Sequence, residues 1–348
     1  MPRLLRRSPS APRAFSNPNF ERISAAQKIE EERFPDYLAA RYYPVHIGEV
    51  FASRSLADHE LKIYDHMASV SSTSKHPGRD AVRSLLDSFK VTGPDGEHNC
   101  LVHPPLWDNL KTFLARNPIG RLPTPVPGHC AAASLPRLGF HATPNLKADN
   151  IMFGIKDNSI FEDFEQAELE NPFPRKEVED GRVIYNSRQL KAPNARGLGP
   201  PVLCDFGSAV FGDRENTRDV QPDLYRAPEI ILKFPWSYEI DIWNTGCLIW
   251  DLFEGRHMFT GRDPEHHVYR SRAHLASMIS ILGPPARNFN AGIELPPPSS
   301  LEEIETSLLG AKDRDQFMQL VRKMIQWDPE NRSTAKQLLE DPWLKAQL

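Results

Sequence analysis

The sequence predicts an α+β fold, with a small β-rich part ahead of a larger helical part. Three observations carry that expectation. Leu85 to Phe89 and Cys100 to His103 read as short buried strands, with Thr92-Gly93-Pro94-Asp95-Gly96 supplying a turn between them. Leu275, Met278, Ile279 and Leu282 recur at helical spacing and stop at Gly283-Pro284-Pro285, and Phe317, Leu320, Val321 and Met324 repeat the spacing. Both stripes read as core rather than as binding surface. Finally, an apolar run through Leu203-Cys204 ends in Asp205-Phe206-Gly207, a strand that delivers a carboxylate at its tip.

At 348 residues the chain can bury one large core or two modest ones. A hydrophobic fraction of 40% and a charged fraction of 25% are ordinary for a soluble globular protein, while 32 prolines point to long irregular connections. The net charge of −4 makes no case for direct nucleic-acid binding or for an anionic membrane surface. Cys100, Cys130, Cys204 and Cys247 are scattered, with neither metal-type spacing nor disulfide density, which favours a reducing compartment, and no apolar run is long enough to span a bilayer.

In chain order, the first segment holds Arg3, Arg6, Arg7 and Arg13 with no acid before Glu21. That composition fits either a mitochondrial transit peptide or a disordered basic arm; the scattered prolines, which spoil an amphipathic helix, favour the arm. Downstream come Leu203-Cys204-Asp205-Phe206-Gly207, then Tyr225-Arg226-Ala227-Pro228-Glu229, then Asp241-Ile242-Trp243-Asn244-Thr245-Gly246. Either of the first two tripeptide cores alone is a weak signal; both in order, followed by Asp-x-Trp-x-x-Gly, make a strong one. From about Leu146 to the C-terminus the chain resembles a eukaryotic protein kinase. Tyr42-Tyr43-Pro44-Val45-His46-Ile47-Gly48 narrows the likeness, because such a lead-in is typical of the SR-protein kinase family. The resemblance implies a protein-kinase-like fold, and with it an arm over 1–42, a small-lobe remnant over 43–105 and a large lobe over 106–348 with an insert at about 155–200.

In such a kinase a Gly-rich loop and a strand lysine should follow the lead-in. Neither is present. After Ser53-Arg54 the chain passes to Ser55–Tyr64, which resembles the family's αC helix; Glu60 falls where that helix presents a carboxylate, and Lys62 lies on the same helix. Cys100 to Pro105 resembles the hinge, where backbone groups near Leu101 and His103 would bond adenine, and Leu106 to Arg116 resembles the small helix after it. Arg121 to Phe140 contains Pro123, Pro125, Pro127 and Pro136; each proline inside a helix costs about 3 kcal/mol, so the long helix expected there cannot form.

Asn145-Leu146-Lys147-Ala148-Asp149-Asn150 then matches the catalytic loop, after Pro144 where an arginine is common. The resemblance implies that Asn150 and Asp205 hold Mg²⁺ and that Lys147 steadies the γ-phosphate of ATP. Asn145 stands at the catalytic-base position, and its amide cannot accept a proton. The long connection to Asp205 opens with Glu162, Asp163, Glu165, Glu168 and Glu170, which read equally as a solvated face or as a contact for a basic substrate. Arg332 matches the arginine that clamps Glu229, and Asp241 matches the aspartate that braces the catalytic loop; both are structural. The family's function is transfer of phosphate to serine in Arg/Ser-rich proteins such as splicing factors, by a monomer of cytoplasm and nucleus. The departures cluster in two places, and two readings stay open. One is a pseudokinase that keeps the large lobe as a binding platform. The other, which better fits a whole missing three-strand block, is a sequence lacking coding segments near Glu49–Arg54 and misread between Arg121 and Asn145.

Overall fold

Asp58–Thr73 forms a helix, α1, that buries Leu61, Ile63, Tyr64 and Met67 while Lys62 and Asp65 face solvent. The computed structural model describes residues 17–35, 37, 58–73, 81–93, 96–117, 142–143, 146–179, 181–194, 197–211, 216–285, 294–307 and 310–347. The lead-in at Tyr42–Gly48, the junction at Glu49–Arg54, the proline-rich Arg121–Phe140 stretch and Pro144-Asn145 therefore lie outside the described residues. The chain divides into two compact units. Met1–Asp58, Leu85–Trp107 and Ile155–Gly199 make up one, and His59–Ser84, Asp108–Gly154 and Pro200–Leu348 make up the other.

In the first unit β1 (Asp87–Gly93) and β2 (Gly96–Val102) pair antiparallel with Gly93 opposite Gly96, so the expected turn is a two-residue connection. These strands are longer than the short buried ones the sequence suggested, and they are largely half-exposed. An isolated two-stranded ribbon has little to cover it, and Lys90 pairs with Glu97 at 2.8 Å along its surface. Leu106 to Arg116, expected as one helix, is instead a short strand β3 (Leu106–Asn109) followed by α2 (Leu110–Arg116). Asn109 decides the boundary: its side chain accepts from the Thr112 amide at 2.8 Å, an N-cap that starts the helix there.

Further on, β4 (Ala142–Thr143) precedes β5 (Ile151–Ile155) and the acidic helix α3 (Ser159–Glu170), then β6 (Arg175–Glu177) and β7 (Val183–Tyr185) form a hairpin. Residues 17–34, part of what the sequence suggested is a disordered arm, are held against this insert. Ile23 donates to the Arg175 carbonyl at 3.0 Å and the Arg175 amide returns to Glu21 at 3.1 Å, adding a bridge beside β6. The Arg175 guanidinium lies 4.1 Å over the Phe20 ring and 4.9 Å over Tyr185. Lys176, buried, donates to Glu32 at 2.9 Å and to the Gln27 carbonyl at 3.1 Å. Of the acidic run, Glu168 is buried against Arg175 and Arg188, and Asp163 pairs with Lys191 at 3.0 Å. Those two carboxylates serve internal pairs.

The chain continues through β8 (Leu198–Leu203), which joins β3 and β5 in a three-stranded sheet of order β3-β5-β8, and β9 (Val210–Phe211), which pairs with β4. The second unit is then helical: α4 (Pro228–Ile231), α5 (Glu239–Glu254), α6 (Ser271–Leu282), α7 (Leu301–Ile304), α8 (Ala311–Met324), α9 (Ala335–Leu339) and α10 (Pro342–Gln347). Helix α5 is apolar around nearly its whole circumference and is buried accordingly. Gly246 lies on its face towards Ile325, where a Cβ would sit 2.8 Å from Ile325 Cδ1 and 3.1 Å from Met324 Cβ, so a larger residue would force these side chains to shift. Phe317, Leu320, Val321 and Met324 of α8 are all fully buried, as their spacing predicted; Phe317 packs 4.7 Å from Phe253 and 5.2 Å from Trp343. On α6, Leu275, Met278 and Ile279 are buried and Gly283, at φ 75°, ends the helix. No helix among the described residues is long and apolar enough to cross a membrane.

His274 on α6 is fully buried, 3.2 Å from the Tyr269 hydroxyl. Burial, with the Arg226 charge second and a backbone bond to Asp223 opposing, pushes its pKa down to about 3. The unfolded chain therefore takes up a proton below about pH 6.5 that the folded chain refuses, and stability falls with pH at about 1.4 kcal/mol per unit. We expect denaturant midpoints to drop between pH 6.5 and 5, with the slope reduced by one proton in His274→Phe. An unchanged slope would exclude His274 as the source.

Candidate functional site

Within the second unit, β8 carries the chain into Asp205 between buried neighbours, Cys204 at 5% and Phe206 at 3% exposure. The Leu203 carbonyl accepts from Arg83 at 2.9 Å, and the Cys204 amide donates to the Asn150 carbonyl at 2.8 Å. Phe206 packs edge-on to Tyr64 of α1 at 5.5 Å, and its amide donates to Glu60 Oε1 at 3.3 Å. Burial, then the Glu60 charge, pushes the Tyr64 phenol up. Anchored on both sides, Asp205 itself is exposed at φ 61°, a left-handed backbone that costs a non-glycine residue of order 1 kcal/mol or more. Its carboxylate makes no hydrogen bond or ion pair among the described residues.

The second part of this arrangement is the segment Leu146–Asn150, which ends in a short 3-10 turn over Ala148–Asn150. Leu146 is buried at 1% exposure, the Asn150 amide closes a tight turn onto the Lys147 carbonyl at 2.9 Å, and the Asn150 side chain is buried. Lys147 is half-buried and its ammonium makes no hydrogen bond or ion pair among the described residues, and Asp149 pairs with Lys111 at 3.1 Å. Glu60, Lys147, Asn150 and Asp205 thus all belong to the second unit, joined through the Asn150–Cys204 and Glu60–Phe206 bonds. Leu101 and His103 belong to the first unit, with Leu101 opposite Ser88 in the β1–β2 ribbon. Asn145, between β4 and Leu146, is outside the described residues. Tyr64 was not singled out from the sequence, although its place four residues after Glu60 puts both on one helix face.

The structural pair is complete. Arg332 grips Glu229 with two parallel bonds of 2.7 and 2.8 Å, donates to the Glu239 and Gln326 carbonyls, and lies 5.2 Å over the Trp243 ring. Asp241 is fully buried with both carboxylate oxygens unpartnered among the described residues, and burial, then the Glu239 charge, pushes its pKa up. A divalent cation fits the exposed, unpaired Asp205 carboxylate, because an oxygen-ligand site needs such a donor uncommitted. The one compact group of metal-ligand types among the described residues, Asp263, Glu265 and His266, fits poorly. There the Arg272 guanidinium bonds Asp263 at 2.5 and 3.1 Å and holds its carboxyl well below the usual range, which makes this an internal ion pair.

The family model "Protein kinase domain" matches residues 196–344, which take in Asp205, Glu229, Asp241 and Arg332. A serine/threonine protein kinase of Aspergillus fumigatus is 37% identical across 99% of this chain and 98% of its own length. The chain belongs to the protein kinase family. A further relative, the serine/threonine-protein kinase SRPK of Physarum polycephalum, is 24% identical over 90% of this chain and 91% of that protein. The mouse dual specificity protein kinase CLK2 is 28% identical over 47% of this chain and 36% of that protein. ATP and a divalent metal are the cofactors of this family. The Aspergillus alignment runs to 399 positions against a chain of 348, so at least 51 of its positions hold no residue of this chain.

Proposed function

We propose that this kinase is of the SR-protein-kinase type, acting on serine in Arg/Ser-rich polypeptides, and that its transfer step is impaired. The observation that carries the reading is Asp205: an exposed carboxylate with no partner among the described residues, in a left-handed backbone, fixed by Phe206 on Glu60 and Tyr64. Asp205 and Asn150 would hold Mg²⁺, and Lys147 would offset negative charge on the nucleotide. ATP with Mg²⁺, when bound, supplies the γ-phosphoryl group and neutralises its developing charge. Asn145 can orient a substrate hydroxyl but cannot take its proton, which removes a contribution of about 10²–10⁴-fold. The missing strand lysine weakens positioning further, and the unmatched positions of the Aspergillus alignment support a lost block.

Asn145 also favours a second reading, a catalytically dead platform that binds the polypeptide alone. The two separate on ATP binding to the purified chain with and without Mg²⁺, followed by incubation with an Arg-Ser peptide. The expected result is Mg²⁺-dependent ATP binding, lost in Asp205→Ala, with very slow peptide phosphorylation. Absence of ATP binding in the unaltered chain selects the platform, and rapid phosphorylation overturns the impairment.

A further inference from the structure

Within the first unit, residues 17–34 are tied to the insert along their length. Asn17 donates to the Leu169 and Glu170 carbonyls at 2.9 and 3.1 Å, and the Arg175 bonds described above hold the next stretch. Farther on, Glu30 accepts from the Ser187 amide at 2.9 Å and from the Ser187 hydroxyl at 3.1 Å. Its backbone sets this tie apart. Glu30 stands at φ 47°, a left-handed conformation that residues other than glycine seldom adopt, where it opens the 3-10 turn Glu30–Arg33. The Glu32 amide on the Ile29 carbonyl and the Phe34 amide on the Glu31 carbonyl, both at 3.0 Å, close that turn. The two bonds from Ser187 therefore hold a strained turn against the insert.

Ser187 is exposed and follows β7 in a stretch, 186–194, that forms no helix or strand. Arg188 comes directly after it, Arg182 five positions before and Lys191 four after. We propose that Ser187 is a phosphorylation site for an Arg/Ser-directed kinase, and that its phosphate releases the turn at Glu30. Here the chain is the substrate rather than the enzyme. An irregular stretch can open locally without breaking a helix or a sheet ladder. Arg188 then leaves Glu168, which it bonds at 3.1 Å, and Glu168 keeps the Arg175 guanidinium at 3.5 Å. In the step, the γ-phosphorus of ATP exchanges its bond to the bridging oxygen of ADP for one to Ser187 Oγ. ADP departs, and the hydroxyl proton passes to the modifying kinase's catalytic carboxylate. A phosphoserine carries about −1.5 to −2 charges at pH 7, and its ester oxygen has no proton left to donate. The Glu30 carboxylate then faces like charge where it had a donor. Glu32 stays on the buried Lys176 at 2.9 Å, so the release is confined to the turn around Glu30.

The test combines phosphosite mapping by mass spectrometry with amide hydrogen exchange on the full chain, after incubation with Mg²⁺·ATP and a kinase active on an Arg-Ser peptide. Phosphate should appear on Ser187, and exchange at the Glu32, Phe34 and Ser187 amides should rise about tenfold or more. Ser187→Glu should raise the same amides without any kinase, which tests the release separately from the transfer. Glu30→Gln removes the charge but still accepts from the Ser187 amide, so its phosphorylated form should show a much smaller rise. The Ile23 and Arg175 amides, whose bonds do not involve Ser187, should stay protected in every sample. The inference is overturned if Ser187 stays unmodified while the Arg-Ser peptide is phosphorylated in the same tube. It is equally overturned if phosphorylated Ser187 leaves those amides as slow as before, or if Glu30→Gln rises as much as the unaltered chain. None of these outcomes bears on whether this chain binds ATP or an Arg-Ser peptide, so the catalytic reading stands or falls separately.

Discussion

Asn145→Asp is expected to raise the rate of phosphoryl transfer to an Arg-Ser peptide by about 10²-fold or more, within the range that general-base catalysis supplies. The substitution is isosteric, exchanging an amide for a carboxylate able to accept the serine proton. Its chain neighbours are fixed: β4 is tied to β9 through Ala142–Phe211 and Thr143–Val210, and Leu146 is buried at 1% exposure. Because a proton acceptor acts only as the hydroxyl reacts, the gain should appear in kcat with the KM values for ATP and peptide little changed. Asp205→Ala added to Asn145→Asp should return the rate to background. If Asn145→Asp binds Mg²⁺·ATP and peptide yet transfers no faster, the missing base is not the limiting defect, and the absent strand lysine becomes the cause.

Arg332→Ala should cost about 3–5 kcal/mol, because it leaves the Glu229 carboxylate buried, charged and unpaired. Against a domain margin of about 5–15 kcal/mol, that takes about a fifth of the stability or more. Arg332 is 6% and Glu229 4% exposed, so water cannot readily replace the lost partner. The Glu239 carbonyl, at the start of α5, loses its donor as well. Replacing both members with apolar residues of similar volume, Arg332→Met with Glu229→Leu, should recover most of the loss, since it removes the stranded charge along with its partner. Guanidinium denaturation of the two single variants and the double variant reads this directly, through midpoints at constant slope. Equal midpoints for Arg332→Ala and the unaltered chain would show that the pair adds nothing to stability. The pair ties Ala227-Pro228-Glu229 to α5, so the same variants should loosen Tyr225.

The apolar stripes of α6 and α8, the Gly93–Gly96 turn and the carboxylate at the tip of β8 were all legible in the sequence, and the relatives confirm the kinase likeness that its motifs carried. Each depends on residues a few positions apart, where backbone period and turn chemistry act directly. Strand extents were less legible: Leu106–Asn109 is extended because Asn109 caps the helix only afterwards, a choice between near-equal local conformations.

What the sequence alone determined was the inventory: which side chains can hold a cation, which amide stands where a base belongs, and which stripes must be buried. Tertiary structure alone decided their partners. Glu60 meets Phe206 across 146 positions, Glu32 meets Lys176 across 144 and Glu229 meets Arg332 across 103, and His257 comes to rest on Asp251 beneath Tyr225. Residue type and spacing mark each of these as able to pair. Which pair forms depends on the burial that removes competing water, and that burial exists only once distant helices and strands have closed around it.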